Sequence, residues 1–236
     1  MIELHQFPYV WNLNPSPFCL KVETYCQLAG IRYRVKETLP IKAPRGKLPF
    51  IVDGETRIPD SGLIVEYLKA SSGDRLDGHL TPQQHARGHL LRRLCEESLY
   101  FALVYSRWLD DQYWPDMRAA FFQGLPPGMR QILPVVARRS VRRALVGQGI
   151  ARHPREEVYE AGEADLVALA TSLEETGLAV DQRPTSYDAT VYSFLVQVLR
   201  CPLESPLKAA AGRHPVLGDY LARMETELAE ARKQRH

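Results

Sequence analysis

Three short clusters in this 236-residue chain combine residue types suited to binding and activating a thiol. The first is Asn14-Pro15-Ser16-Pro17-Phe18-Cys19-Leu20-Lys21. Ser16 is placed to cap a helix and Pro17 to occupy its first turn, where a missing N–H costs nothing. The free N–H groups and positive end of that helix favour an anion beside the Ser16 hydroxyl. A thiolate suits the spot, because helix N-termini lower thiol pKa values and a serine O–H can donate to bound sulfur. The same residues also serve as a plain helix start. The second cluster, Lys47-Leu48-Pro49-Phe50, sets a proline at the head of a strand, where its lack of a donor is harmless. A cis bond there turns the Leu48 backbone outward to pair with an extended peptide ligand. The third, Asp60-Ser61, puts an acid and a hydroxyl at another helix start, fit to hold the ammonium and carboxylate of an amino-acid head group. Alone, it is a helix cap.

The elements that position these clusters follow from periodicity. Ile2, Leu4 and Gln6 alternate with Glu3 and His5 as a strand, and Pro17 to Ala29 reads as a helix closed by Gly30. Tyr33 to Lys36 is a second strand. Pro49 to Val52, Asp53-Gly54 and Thr56 to Ile58 read as a hairpin, since Asp-Gly supplies the positive φ angles of a tight turn. Ser61 opens a helix through Leu68, giving β-α-β, a loop, then β-β-α: a small α/β layer domain over residues 1–72. Ser71-Ser72-Gly73-Asp74 and Asp77-Gly78 form a polar connector. Beyond it, an all-helical domain over 80–236 carries helices at about 82–110, 114–123, 129–147, 155–176, 187–200 and 214–232. Pro126-Pro127-Gly128, Gly147 to Gly149 and Pro202 to Pro206 break it up.

With 45% apolar and 25% charged residues the composition is that of a globular protein. The most apolar stretches, Ser193 to Leu199 and Leu99 to Tyr105, fall far short of the roughly 18 residues that span a bilayer. The opening Met-Ile-Glu-Leu-His-Gln has no secretion-signal pattern, so export by that route is not expected. Four cysteines are too sparse for a disulfide framework and point to a reducing cytoplasm. Cys19 and Cys26 on one helix lie roughly 10 Å apart, too far to pair. A net charge of +2 exerts no general pull on nucleic acid.

Taken together, Ser16-Pro17-Phe18-Cys19, Leu48-Pro49 with Asp53-Gly54, and Asp60-Ser61 followed by Ile64 and Tyr67-Leu68 resemble the thioredoxin-like N-terminal domain of cytosolic glutathione transferases. The resemblance implies the glutathione transferase fold, an α/β thioredoxin-like domain plus an all-α domain. In the serine-type classes it makes Ser16 the residue that activates the glutathione thiol. Lys47, Leu48 and Pro49 then match the segment that holds the cysteinyl part, and Asp60 and Ser61 the pair that holds the γ-glutamyl end. Thr185-Ser-Tyr-Asp188 before Val191 to Leu199 is similar to the family's N-capping box. Ser-Pro-Phe-Cys-Leu-Lys-Val-Glu, Gly149-Ile-Ala-Arg-His153 with Glu156-Glu157, and Pro184-Thr-Ser-Tyr-Asp188 look most like the branch of Fax-like transferases, the failed-axon-connections protein and metaxins. Glutathione as co-substrate, a small hydrophobic electrophile, detoxifying conjugation and a homodimer are what the resemblance implies. Two stretches depart from the family: Phe7 to Pro15 is long, and Thr38 to Gly46 is short for a full helix.

Rival readings attach to other residues. Tyr9 lies before Ser16, and tyrosine activates the thiol in other transferase classes. Cys19 suits a glutathione-dependent reductase, although the first cysteine of a redox Cys-x-x-Cys pair is missing. A third alternative is a catalytically weak scaffold or binding protein of the same fold. Phe18, Tyr100 and Tyr105 are the residue types expected to wall an electrophile pocket. His85 and His89 share a helical face without a third ligand, so no metal is expected. Residues 129–155 hold Arg130, Arg138, Arg139, Arg142, Arg143, Arg152 and Arg155 with no acid, and 156–175 hold seven acids with no Lys or Arg. Either these helices face one another and water, or the arginine segment meets an anionic membrane surface.

Overall fold

The computed structural model describes residues 1–233; residues 234–236, the end of the expected helical domain, lie outside the described residues. Strand β1 (Ile2–Gln6) buries Ile2, Leu4 and Gln6 as the alternation predicts. It pairs in parallel with β2 (Tyr33–Glu37) and antiparallel with β3 (Phe50–Asp53). Gly54, at φ 60°, turns β3 into β4 (Thr56–Pro59), giving the sheet order β2-β1-β3-β4. Helices α1 (Pro17–Leu28) and α2 (Ser61–Ser72) join one core in which Leu4 and Ile51 meet Val22, Tyr25, Ile64 and Leu68.

The long helix expected over 82–110 is α3 (Pro82–Leu94) running into α4 (Tyr100–Trp108) through a wide π-type turn at Cys95–Leu99. Then follow α5 (Trp114–Phe122), α6 (Pro127–Gln148), α7 (Arg155–Thr176), α8 (Ser186–Leu199), α9 (Pro206–Gly212) and α10 (Pro215–Lys233). Helix α8 is buried nearly all round and packs on α1, α3 and α10, so it forms the axis of the molecule. Gly88 lets α3 approach it, since a Cβ there would lie 2.3 Å from the Tyr187 ring. Asp188 takes the Thr185 N–H at 2.9 Å and the Thr185 hydroxyl at 2.7 Å, which closes the expected box. Helix α9 is missed by periodicity because Pro206 reads as a breaker; it is the first residue of a short helix capped by Ser205.

Three further features differ from the sequence reading or sharpen it. The connector is more than a polar spacer. Asp77 is fully buried, accepts from the Ser186 N–H at 2.8 Å and from its hydroxyl, and meets Lys69 Nζ at 2.7 Å. It therefore bolts the start of α8 to α2. The arginines of α6 do not face the acids of α7: Arg138 pairs with Asp111, while Glu163 and Glu175 pair with Arg213 and Arg87. The short stretch 38–46 holds one 3-10 turn at Pro40–Lys42, consistent with its length. Among the described residues no helix is long and apolar enough to cross a membrane.

Candidate functional site

Ser16 caps α1 from an extended backbone, φ −102° and ψ 119°, and its Oγ accepts the Cys19 N–H at 3.3 Å. That bond uses an oxygen lone pair, and the hydroxyl also lies within hydrogen-bonding reach of the Cys19 thiol. The first turn of α1 holds no acid, so nothing on the helix neutralises its positive end. The preceding loop reaches Ser16 by way of a tight turn at Trp11 and Asn12, φ 54° and 58°, closed by Val10 N–H to Leu13 at 2.9 Å and its reciprocal at 3.0 Å. Asn14 then fixes the Ser16 N–H through its Oδ1 at 3.0 Å.

The second cluster sits against the first. Cys19 packs with Leu48 and Phe50 in one small core, and the Leu48–Pro49 peptide is cis, as expected. Lys47 is exposed beside it. The third cluster joins through α1 as well. Asp60 adopts φ 72°, rare for a residue with a side chain, and its Oδ1 caps α2 by accepting from Gly62 at 2.8 Å and Leu63 at 3.4 Å. Ser61, buried, accepts from Lys21 Nζ at 3.5 Å. Lys21 lies five residues after Ser16 on the same helix, roughly 7–8 Å along its axis. Leu48 thus packs on Cys19 and Ser61 meets Lys21, both on the N-terminal half of α1, while Asp60 caps α2 and Lys47 is exposed.

The competing groups are placed otherwise. The Tyr9 hydroxyl donates to the Glu23 carboxylate at 2.8 Å, and burial with that anion raises its pKa. Its proton is tied to Glu23. Cys19 is fully buried, and burial pushes its thiol up to about 12, which disfavours the thiolate that disulfide exchange needs. His85 and His89 take separate partners, the Tyr187 hydroxyl at 3.1 Å and Arg92 at 3.3 Å. Phe18 and Tyr100 do come together, ring centroids 4.9 Å apart, with Phe194 behind Phe18 at 5.6 Å. Tyr105 instead sits on Tyr159, at 6.3 Å.

Helical-domain residues that sequence reasoning did not single out hold this geometry. Arg107, buried, donates to the Pro15 carbonyl at 3.0 Å and to the Gln197 carbonyl and side-chain oxygen at 2.9 and 2.8 Å. Gln197 in turn donates to the Asn14 carbonyl at 2.7 Å. The turn that delivers Ser16 is therefore clamped by α4 and α8. Burial draws the Arg107 guanidinium below its ordinary value, an effect eased by the neighbouring Cys201. Lys21 is the second support: 2% exposed, it meets Glu96 at 2.6 Å across the domain boundary. Burial lowers the Lys21 pKa and Glu96 opposes that shift. Both contacts span tens of residues in the chain, beyond the reach of any local pattern.

Residues 17–113 match the glutathione S-transferase N-terminal domain and residues 162–224 the glutathione S-transferase C-terminal domain. Over 236 aligned residues the chain is 34% identical to the isoprene-epoxide–glutathione S-transferase of Rhodococcus sp. (strain AD45), covering 96% of this chain and 99% of that one. The chain belongs to the glutathione S-transferase family. This transferase also matches the Failed axon connections protein of Drosophila melanogaster, 28% identical over 84% of this chain and 50% of that one. Metaxin-2 of Homo sapiens is 25% identical over 81% and 73%. Among solved structures, the beta-etherase LigF of Sphingobium sp. strain SYK-6 superposes with a TM-score of 0.71 over 99% of each chain at 16% identity. The two-domain transferase fold is thereby shown. Residues 114–161, between the two matched domains, contain α5 and all of α6.

Proposed function

We propose that this transferase is a serine-type enzyme in which Ser16 stabilises the glutathione thiolate for attack on a small hydrophobic electrophile. The observation that carries the reading is the place of the Ser16 hydroxyl: its oxygen is fixed by the Cys19 N–H at a helix end with no acid in its first turn, where a bound thiolate would compete with the neighbouring Cys19 thiol for its proton. Leu48 and Pro49 would hold the cysteinyl backbone, Asp60 and Ser61 the γ-glutamyl end, and Lys47 the exposed side of the peptide. The name of the Rhodococcus relative suggests a small epoxide as electrophile. In that reaction the sulfur forms a bond to an epoxide carbon, the C–O bond breaks, and the alkoxide takes a proton from water. Phe18 and Tyr100 are the aromatic surface available to such a substrate. The proposed protein is a homodimer working in the reducing cytoplasm, in keeping with its free, buried cysteines.

The test compares Ser16→Ala with Tyr9→Phe in epoxide conjugation, alongside calorimetric titration with reduced glutathione. Removing a donor aimed at developing or bound negative charge costs roughly 10²-fold in turnover. Ser16→Ala is expected to lose about that much kcat while binding glutathione within about threefold of wild type, with its pH–rate profile moved to higher pH. Tyr9→Phe should keep its turnover. Asp60→Ala should weaken glutathione binding. Equal turnover in Ser16→Ala and wild type would remove Ser16 from the mechanism. Saturable binding with no turnover across a panel of electrophiles would favour the scaffold reading.

A further inference from the structure

A cavity lies against α2, beside Lys21, whose Nζ is 3.5 Å from the Ser61 hydroxyl. It encloses about 230 Å³ between α1, α2, α3 and α8 and is lined by Lys21, Lys69, His89, Arg92, Tyr187 and Thr190, among others. Its buried polar atoms are mostly donors, and two have no partner. Thr190 is fully buried with an unbonded hydroxyl, and the Nε of Arg92 is buried and unbonded. Among the described residues Arg92 makes no ion pair; its Nη2 meets only His89, at 3.3 Å. Lys21 adds a buried ammonium group to the same wall. The nearby carboxylates are already engaged. Asp77 holds Ser186 and Lys69, Glu96 holds Lys21, and Glu66, 65% exposed at the rim, lies 3.5 Å from Lys69. Buried unpaired donors are rare and costly, so convergent ones around a roomy cavity call for an acceptor.

We propose that this cavity binds a small oxyanion, a carboxylate, sulfate or phosphate group, through Arg92, Thr190 and Lys21. A water occupies about 30 Å³ of liquid, so the space takes one such group with several waters. The occupant would join α2 to α3 and α8, elements of the two domains. A Cβ built on Gly62 comes within 3.7 Å of the Arg92 Nη1, which places that guanidinium beside the first turn of α2 and next to Ser61. Anion binding would therefore stiffen the γ-glutamyl edge without touching Ser16, and the proposal does not depend on the role of Ser16.

Thermal melts and calorimetry of the intact protein with inorganic phosphate, against sodium chloride at matched ionic strength, test it. The expected result is a saturable rise in Tm with phosphate beyond that with chloride. Thr190→Val, which keeps the shape of the side chain, and Arg92→Met should each weaken phosphate binding at least tenfold while the proteins still melt cooperatively. Phosphate binding should persist at saturating glutathione, marking a site apart from the peptide's. The proposal is overturned if phosphate does no more than chloride, if both variants bind phosphate as wild type does, or if glutathione abolishes the binding. In those cases water, or the carboxylate of glutathione itself, satisfies the two orphan donors.

Discussion

Replacing Arg107 tests whether the helical domain sets the position of Ser16. Arg107→Met keeps much of the side-chain volume but deletes the bonds to the Pro15 carbonyl at 3.0 Å and to the two Gln197 oxygens at 2.9 and 2.8 Å. Hydrogen bonds from a charged donor contribute about 1.5–3 kcal/mol each, and acceptors left dry cost more; relief from burying a cation offsets part of this. A net loss of about 3 kcal/mol is expected, which at 2–4 °C per kcal/mol for a chain of this size is a fall in Tm of about 6–12 °C. The catalytic effect is separate. With Pro15 released, the Asn14-Pro15-Ser16 turn loosens, and misplacement by ~1 Å costs up to ~10²-fold in rate. Conjugation turnover in the folded variant should therefore fall between about tenfold and 10²-fold. Arg107→Lys should recover only part of either loss, because a single ammonium cannot span Pro15 and Gln197 as the planar fork does. Arg200→Met is the control: its pair with Glu225 is 50% and 43% exposed and should be worth under about 1 kcal/mol. If Arg107→Met melts within about 1 kcal/mol of that control and turns over within twofold of wild type, the clamp has no role.

Further outcomes follow from buried groups elsewhere. The four cysteines are free and buried, so native protein at pH 7.5 should resist N-ethylmaleimide until unfolded; rapid labelling of Cys19 with loss of activity would revive the reductase reading. Asp188, fully buried, accepts from Ala179 at 2.8 Å, Thr185 at 2.9 and 2.7 Å and Tyr220 at 3.2 Å. Asp188→Ala strands these donors and should cost at least ~3 kcal/mol in urea melts; a loss under ~1 kcal/mol would deny the box its structural role. His5 stacks on Phe50 at 4.1 Å, and burial lowers its pKa against the pull of Glu3. The unfolded chain then binds a proton near the ordinary imidazole pKa of about 6.5 that the folded one takes up only at lower pH. Stability should fall as pH drops through about 6.5, and His5→Gln should flatten that part of the profile; an unchanged slope would assign it to other histidines.

What was legible in the sequence was local. Ser16-Pro17, Asp60-Ser61, Asp53-Gly54 and Thr185 to Asp188 are each decided within a few residues, by a cap or a turn, and each is in place. The helices of the second domain were legible for the same reason, because a 3.6-residue period survives whatever lies opposite. Where a local cue has two meanings, reading failed: Pro206 as breaker or first helical residue, Asp77-Gly78 as a turn or as a buried clamp. Nothing within several residues of Asp77 distinguishes them, since the partner that makes burial tolerable, Ser186, is 109 positions away.

Lys21, Asp77 and Arg107 share that physics and explain why the site's supports were hidden. A charged residue in the middle of a helix or a polar connector is expected at the surface, because burying it unpaired is prohibitively costly. Each is buried here with a partner that arrives from the other domain: Glu96 for Lys21, Ser186 for Asp77, and the carbonyl of Pro15 for Arg107. Two of these contacts end on the proposed site, at Ser61 through Lys21 and at the Ser16 turn through Arg107. The N-terminal domain thus carries the groups suited to the chemistry, while their registration with one another is fixed by the helical domain. Residues 1–72 separated from α4 and α8 would keep every motif and lose the Arg107 and Gln197 bonds that hold the turn before Ser16.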